Sequence, residues 1–419
     1  MTETSFLENG VPIPFNDAVT SGLSVGVPGT PLTWQEALDR WGTVSLAQAL
    51  RGAKQVANRG FVVDETFRAQ TAANQGRFSN FTSTRDLFLP GGAPPAVGSV
   101  FTNPDLGDTY EGLSTMGLDW LYDGPLGAEV VETVQNPPVD PASGYHARPG
   151  LMETSDLAAY DAPLRAPTHV GYRGLDVYGM APPSSGGSTV GEALNILENA
   201  DLSGMPPTQA VHHYLEASAL SFADRNEYVG DPDYVDVPLE QLLSDEFAKE
   251  RFCLVDPAAA LPKPQPAGDA DGSYDTDCDG TEDAGAAGDH EGLSTTHLTT
   301  ADKWGNVVAY TLTIESTGGS GIVVPDRGFL LNNELTDFNF SPATGVESDP
   351  NLPAGGKRPR SSMAPTIALA DGSPFLALGS PGGSTIITTV LQMLVNRVDL
   401  GMTLPQALAE PRATQRNTA

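Results

Sequence analysis

Glu291-Gly292-Leu293-Ser294-Thr295-Thr296-His297-Leu298-Thr299 marks the point at which the chain changes character. Upstream lies a long acidic stretch rich in Gly, Pro and Ala that can bury little. Downstream, Leu298 and Thr300, then Val308, Tyr310, Leu312 and Ile314, alternate with more polar neighbours at the period of a strand. Asp302-Lys303-Trp304-Gly305-Asn306 supplies a turn between the two runs, so a β-hairpin is expected. A hairpin that opens abruptly at a threonine behind such a leader suggests a precursor cut just before Thr295. The cut would leave Thr295 with a hydroxyl and a free α-amine on one residue. An α-amine titrates near pH ~7.7–8, so it can serve as base for its own side chain at neutral pH. Taken alone, Thr-Thr reads first as an ordinary strand opening.

Composition sets the outer bounds. The chain has 419 residues, enough for two or three domains or one large α/β unit. Lys+Arg 22 against Asp+Glu 53 leaves a net charge of −31, which makes nucleic acid and anionic membrane surfaces poor partners and favours solubility. The 45 glycines and 35 prolines point to many turns. No apolar run reaches membrane-spanning length, and Met1-Thr2-Glu3-Thr4-Ser5 does not read as a signal peptide. Cys253 and Cys278 could pair to tether the acidic segment, or stand as two thiols.

Taken in order, Thr33 to Asn58 reads as helix interrupted at Gly42, with Leu46, Leu50, Ala53 and Ala57 on one face. Gly107 to Val134 is again helical, and a further helix is expected from Ser155. Tyr172-Arg173-Gly174-Leu175-Asp176-Val177-Tyr178 reads as strand, leading through Pro182-Pro183-Ser184-Ser185-Gly186-Gly187 into a helix that includes Leu194 and Leu197. Ala210 to Ala223 is the next helix. Residues 256–294 form an acidic linker without usable periodicity, read as disordered from Asp256 to Asp289. Within it, Asp275-Thr276-Asp277-Cys278-Asp279-Gly280 imitates a calcium loop but has Ala286 where a carboxylate is required, so a solvated linker is the better reading. Thr366–Ala370 and Phe375–Leu378 flank Asp371-Gly372 as a second hairpin, and Ser384 is placed to cap a helix closed by Gly401.

Five motifs in order carry a specific resemblance: Thr295-Thr296-His297, Asp302-Lys303-Trp304-Gly305-Asn306, Gly328 to Phe338, Gly356 to Thr366, and Gly379-Ser380-Pro381-Gly382-Gly383-Ser384. Together they closely resemble the γ-glutamyltranspeptidases, as do Pro182 to Gly187 and Asp224 to Pro232. The resemblance implies a four-layer αββα N-terminal-nucleophile (Ntn) hydrolase fold. It also implies a precursor cut between Ser294 and Thr295 into a large portion (1–294) and a small portion (295–419) that remain together. The implied activity is γ-glutamyl transfer and glutathione hydrolysis, with amino acids or dipeptides as acceptors and neither metal nor organic cofactor. Thr295 would be the nucleophile in both self-cleavage and turnover, supported by Thr313. Gly382 and Gly383 would form the oxyanion hole, Ser361 and Ser362 would bind the substrate α-carboxylate, and Glu334 and Asp337 its α-ammonium. Relatives are usually exported, so a periplasmic, envelope or secreted location is implied.

Two departures accompany the match. Glu315 stands where the family usually has asparagine; its carboxylate can accept from an ammonium but adds negative charge beside an anionic substrate. The family's carboxylate-binding arginine has no counterpart, Met1 reads as an internal methionine, and the chain stops at Ala419 before the family's last strands. A copy short at both ends, with low activity, is therefore expected. The rival readings are a related acylase acting on cephalosporin or glutaryl amides, and an inactive truncated homologue.

Overall fold

Arg173 and Gly174 have φ of +50° and +78°, the paired left-handed conformation of a two-residue hairpin turn. The stretch expected to be one strand is therefore two: β1 (Thr168–Tyr172) and β2 (Leu175–Gly179), paired antiparallel. The computed structural model describes residues 1–278, 294–342 and 349–418. They fall into two units: Met1 with Phe6–Leu164 and Ile314–Thr336, and Thr2–Ser5 with Arg165–Thr313 and Asp337–Ala419.

The first unit is mainly helical. Its helices include α1 (Thr30–Trp41), α2 (Leu46–Arg59), α3 (Pro104–Met116), α4 (Pro125–Gln135) and α5 (Thr154–Ala159). Ser45 opens α2 with a capping box shared with Gln48, and Gly60 at φ +81° closes it. Leu50 and Ala57 of the expected face are buried, while Ala53 is exposed. A Cβ on Gly107 would lie 2.4 Å from the Asn58 side chain, so only glycine permits the close approach of α3 to α2. Trp120, Leu121, Leu126, Val130, Val134, Ile322 and Leu331 share one core.

The second unit is built on a four-stranded antiparallel sheet in the order β6-β5-β2-β1, where β5 is Thr366–Ala370 and β6 is Ser373–Leu378. Asp371 and Gly372, at φ +49° and +72°, make the expected turn between β5 and β6. Val170, Tyr172, Val177, Ala368 and Leu378 face a core shared with α6 (Gly186–Glu198), α7 (Pro207–Tyr228) and α9 (Thr385–Val398). Burying Leu194 and Leu391 completely contributes about 2 kcal/mol each. The hairpin β3 (Thr296–Ala301) and β4 (Val307–Leu312) packs beside β6. Its polar face is the covered one: Thr311 is buried, whereas Leu298 and Val308 are exposed. Among the described residues no helix is long and apolar enough to cross a membrane.

Residues 257–278 are not the disordered linker expected. They carry no periodicity because side chains, not repeating backbone structure, hold them. Gln265 and Asn417 exchange hydrogen bonds of 2.6 and 2.7 Å, Lys263 pairs with Glu216 at 2.5 Å, and Cys253 at the end of α8 (Asp245–Cys253) is bonded to Cys278. The rest of the linker (279–293), including Asp279, Gly280 and Ala286 of the calcium-loop imitation, lies outside the described residues. At the root of this arm three buried ionisable side chains meet. Asp224 accepts from Arg251 at 3.0 Å and from the Gly268 amide at 2.6 Å. Burial, with the Asp224 carboxylate beside it, raises the Glu192 carboxyl well above the ordinary range despite the opposing pull of Arg251.

The native state thus holds a proton on Glu192 that the unfolded chain releases, so stability falls as pH rises above the unfolded carboxyl range. Glu192→Gln should raise the melting temperature at pH 8 relative to pH 5, compared with wild type. Asp224→Asn should cost about 3–5 kcal/mol by leaving Arg251 buried with a weakened partner. Thermal unfolding at the two pH values measures both.

Candidate functional site

β3 and β4 run antiparallel with Thr296 opposite Leu312, which brings Thr295 and Thr313 together just past the end of the pairing. Their hydroxyl oxygens are 3.3 Å apart. The Thr295 hydroxyl lies 2.6 Å from the Ser294 carbonyl oxygen, and Thr313 donates to that same oxygen at 3.2 Å. A hydroxyl, the preceding carbonyl and a second donor to that carbonyl therefore form one cluster. β-Branching restricts the rotamers of both threonines, which helps hold the arrangement.

Gly382 and Gly383 follow β6 and open α9, with φ of +131° and +58°. Only glycine adopts this pair readily, and a Cβ on Gly382 would come 2.8 Å from Thr385 Oγ1. Within the described residues, neither amide N–H of this pair donates to a protein acceptor. Two unspent backbone donors on consecutive glycines are what a developing oxyanion requires. Ser384 stands at the helix start as expected, but its side chain makes no capping bond; its hydroxyl accepts from Arg416 instead.

His297 bridges these elements. Its Nδ1 is 2.8 Å from Thr311 Oγ1 and its Nε2 3.0 Å from Thr299 Oγ1. A Cβ on Gly379 would sit 2.3 Å from the same ring, so the strand leading to Gly382 rests on the imidazole through a bare backbone. Burial lowers the His297 pKa, favouring the neutral ring. Sequence reading singled out Thr-Thr-His as a motif without assigning the histidine a role. The available signal was its place on the same strand face as Thr299, opposite Thr311.

Ser361 and Ser362 lie in an irregular segment fixed by the Ser184-Ser185 turn. Ser185 donates to the Ser361 carbonyl from its amide at 2.7 Å and from its hydroxyl at 2.9 Å. Ser184 donates to the Met363 carbonyl at 2.6 Å. Arg225, buried on α7, donates to Ser362 Oγ at 2.9 Å; sequence reading gave it no part. Asp337 is nearly buried, and its carbonyl accepts from Asn351 at 2.6 Å.

Glu315 and Glu334 belong to the other unit. Glu315 is buried at φ +69°, and its carboxylate accepts from Ser316 Oγ at 2.5 Å and from Asn333 Nδ2. Half-buried Arg77, whose pKa desolvation lowers, feels the Glu315 charge as an opposing pull toward its charged form. Arg77 also donates to the Thr317 and Gly319 carbonyls at 2.8 and 2.9 Å, holding the loop that follows Glu315.

The sequence matches the family described as gamma-glutamyltranspeptidase over residues 1–419. It is 40% identical over 407 residues to a glutathione hydrolase proenzyme of Bacillus subtilis (strain 168), covering 97% of this chain and 66% of that protein. It is 35% identical over 420 residues to the glutathione hydrolase proenzyme of Escherichia coli (strain K12), covering 98% of this chain and 68% of that protein. Among solved structures, a cephalosporin acylase from Bacillus halodurans superposes with a TM-score of 0.79 at 27% identity, over 94% of this chain and 67% of the other. The α/β class expected from the sequence is thus that of the Ntn hydrolases. The chain spans about two thirds of the length of these relatives.

The His297 contacts carry a pH consequence. A lowered native pKa means that the unfolded chain takes up this proton first as pH falls below about 6.5, so stability rises with pH through the window between the two pKa values. His297→Asn should flatten the acid limb of the stability profile measured by denaturant titration. Gly379→Ala should cost about 1–3 kcal/mol in the same assay by forcing a methyl against the ring.

Proposed function

From the premise that this chain belongs to the gamma-glutamyltranspeptidase family, we propose that it matures by cutting itself between Ser294 and Thr295 and then acts as a glutathione hydrolase and γ-glutamyltransferase. The observation that carries the reading is the cluster of Thr295 Oγ1, Thr313 Oγ1 and the Ser294 carbonyl, all within 3.3 Å. In maturation, Thr295 Oγ attacks the Ser294 carbonyl carbon while Thr313 donates to its oxygen. The C–N bond breaks, the Thr295 nitrogen takes the proton, and the acyl group passes to oxygen. Water then cleaves this ester, leaving a Ser294 carboxylate and a free amine on Thr295. Large (1–294) and small (295–419) portions result.

In turnover, the Thr295 amine takes the hydroxyl proton as the oxygen attacks the γ-carbonyl of glutathione. Gly382 and Gly383 stabilise the tetrahedral oxyanion, and the Cys-Gly amine leaves with a proton. Water or the amine of an amino acid or dipeptide discharges the γ-glutamyl ester. Ser361 and Ser362 receive the α-carboxylate; Glu315, Glu334 and Asp337 are assigned to the α-ammonium by the family pattern. The Cys253–Cys278 bond supports an oxidising compartment outside the cytosol. The acylase likeness favours one second reading, in which the acyl group lacks the glutamyl amine.

Thr295→Ala should abolish cutting and turnover together, since one hydroxyl serves both. Intact mass of the wild type should show a fragment beginning Thr-Thr-His-Leu, and γ-glutamyl-p-nitroanilide should be cleaved faster than glutaryl-p-nitroanilide. An active protein that stays uncut would overturn the mechanism, and a preference for the glutaryl amide would transfer the assignment to the acylase reading.

A further inference from the structure

We propose that Arg225 is a positioning residue that makes Ser362 a committed hydrogen-bond donor toward the substrate carboxylate; the inference rests on the carboxylate role given to Ser361 and Ser362 above. Arg225 is 1% exposed, and its guanidinium reaches three oxygens: Ser185 Oγ at 2.8 Å, Asn226 Oδ1 at 3.0 Å and Ser362 Oγ at 2.9 Å. Its ring partner is Phe222, with the guanidinium carbon 5.3 Å from the centroid.

The chemistry of the contact decides its consequence. A guanidinium has donors and no acceptor, so Ser362 Oγ can only accept from it. The lone pair facing Arg225 is occupied, and the hydroxyl proton must be directed elsewhere. Among the described residues no protein acceptor takes that proton, although Ser362 is buried. A donor held in this way, polarised by a cation on its oxygen, suits a carboxylate and does not suit a ligand that must donate. Ser185 shows the paired case: its oxygen also accepts from Arg225, and its proton goes to the Ser361 carbonyl. One buried cation thus orients both the serine on the turn and the serine beside the ligand.

Lysine would keep the charge but could not span three acceptors in a fixed plane. The test compares Arg225→Lys with wild type on two donors, γ-glutamyl-p-nitroanilide and 4-aminobutanoyl-p-nitroanilide, which lacks only the α-carboxylate. The ratio of their kcat/KM values should fall by about tenfold in Arg225→Lys, mainly through the KM of the glutamyl donor. In a Ser362→Ala background the same change should leave the ratio where Ser362→Ala alone puts it, because the proposed path runs through that hydroxyl. Self-cleavage and circular dichroism report folding. If Arg225→Lys does not fold, Asn226→Ala removes one anchor of the guanidinium without touching Ser361 and should lower the ratio by about threefold. A wild type that cleaves the glutamyl donor, with variants that slow both donors equally or act additively with Ser362→Ala, would overturn the role of Arg225 and leave the proposed function standing. A wild type without preference for the carboxylate-bearing donor would overturn the carboxylate assignment and this inference with it.

Discussion

The pairing of β2 with β5 is the contact on which the second unit depends. Asp176, Val177, Tyr178 and Gly179 stand opposite Leu369, Ala368, Ile367 and Thr366. The two strands lie on opposite sides of the Ser294–Thr295 bond, yet they are neighbours in the middle of one sheet. Breaking that bond therefore cannot release either piece without opening a ladder of hydrogen bonds and exposing the core beneath it. Register matters as much as pairing. Val177 and Ala368 both face the helices, and a slip by one residue would turn each toward the opposite face. The chain on both sides of the Ser294–Thr295 bond is thus held by one sheet.

Smaller contacts repeat this arrangement across the same bond. Gln265 and Asn417 exchange backbone-to-amide hydrogen bonds, Ser185 and Arg225 hold Ser361 and Ser362, and His297 supports Gly379. Except for the histidine, each links a residue before the Ser294–Thr295 bond to one after it. The segment expected to be a loose leader is thus fastened through Gly268 to a buried carboxylate–guanidinium pair. A buried pair of this kind is weak evidence for added stability, because desolvation offsets attraction, but removing one partner is costly. Its effect is to tie one path of the arm to one packing of α6, α7 and α8.

Period-based reading recovered the hairpin at Thr296, the turn at Asp371-Gly372 and the helix from Gly186, because each follows a local rule of alternation, turn chemistry or amphipathicity. It merged β1 and β2, since Arg173-Gly174 is short and sits within an otherwise strand-like run. It also lost residues 257–278, which are ordered by contacts with Glu216, Asp224 and Asn417, all distant along the chain. The family pattern pointed to Thr295, Thr313, Gly382 and Gly383; the structure sets the two threonines together at the end of the hairpin and the two glycines at positive φ. Arg225 and His297 escaped assignment for a common reason. Their parts are defined by what they touch across the sheet and helix layers, and nothing in a linear pattern separates a supporting arginine from a surface one.

Glu315 shows how a local departure is accommodated. From sequence, a carboxylate in place of asparagine reads as surplus negative charge. In the folded unit it is buried, so its charge carries a desolvation cost that neighbours must offset. Asn333 and Ser316 donate to one of its oxygens, and Arg77 lies close enough for the Glu315 charge to favour the guanidinium form. Arg77 is itself fixed by Asn74 and by the Thr317 and Gly319 carbonyls, so its position does not depend on the carboxylate alone. The left-handed backbone at Glu315, uncommon for a residue with a side chain, is held by the same bonds. The glutamate is thus one member of a small network with Asn333, Ser316 and Arg77. An arginine on a neighbouring helix can moderate the field of a buried glutamate, which changes how a single acidic replacement should be read.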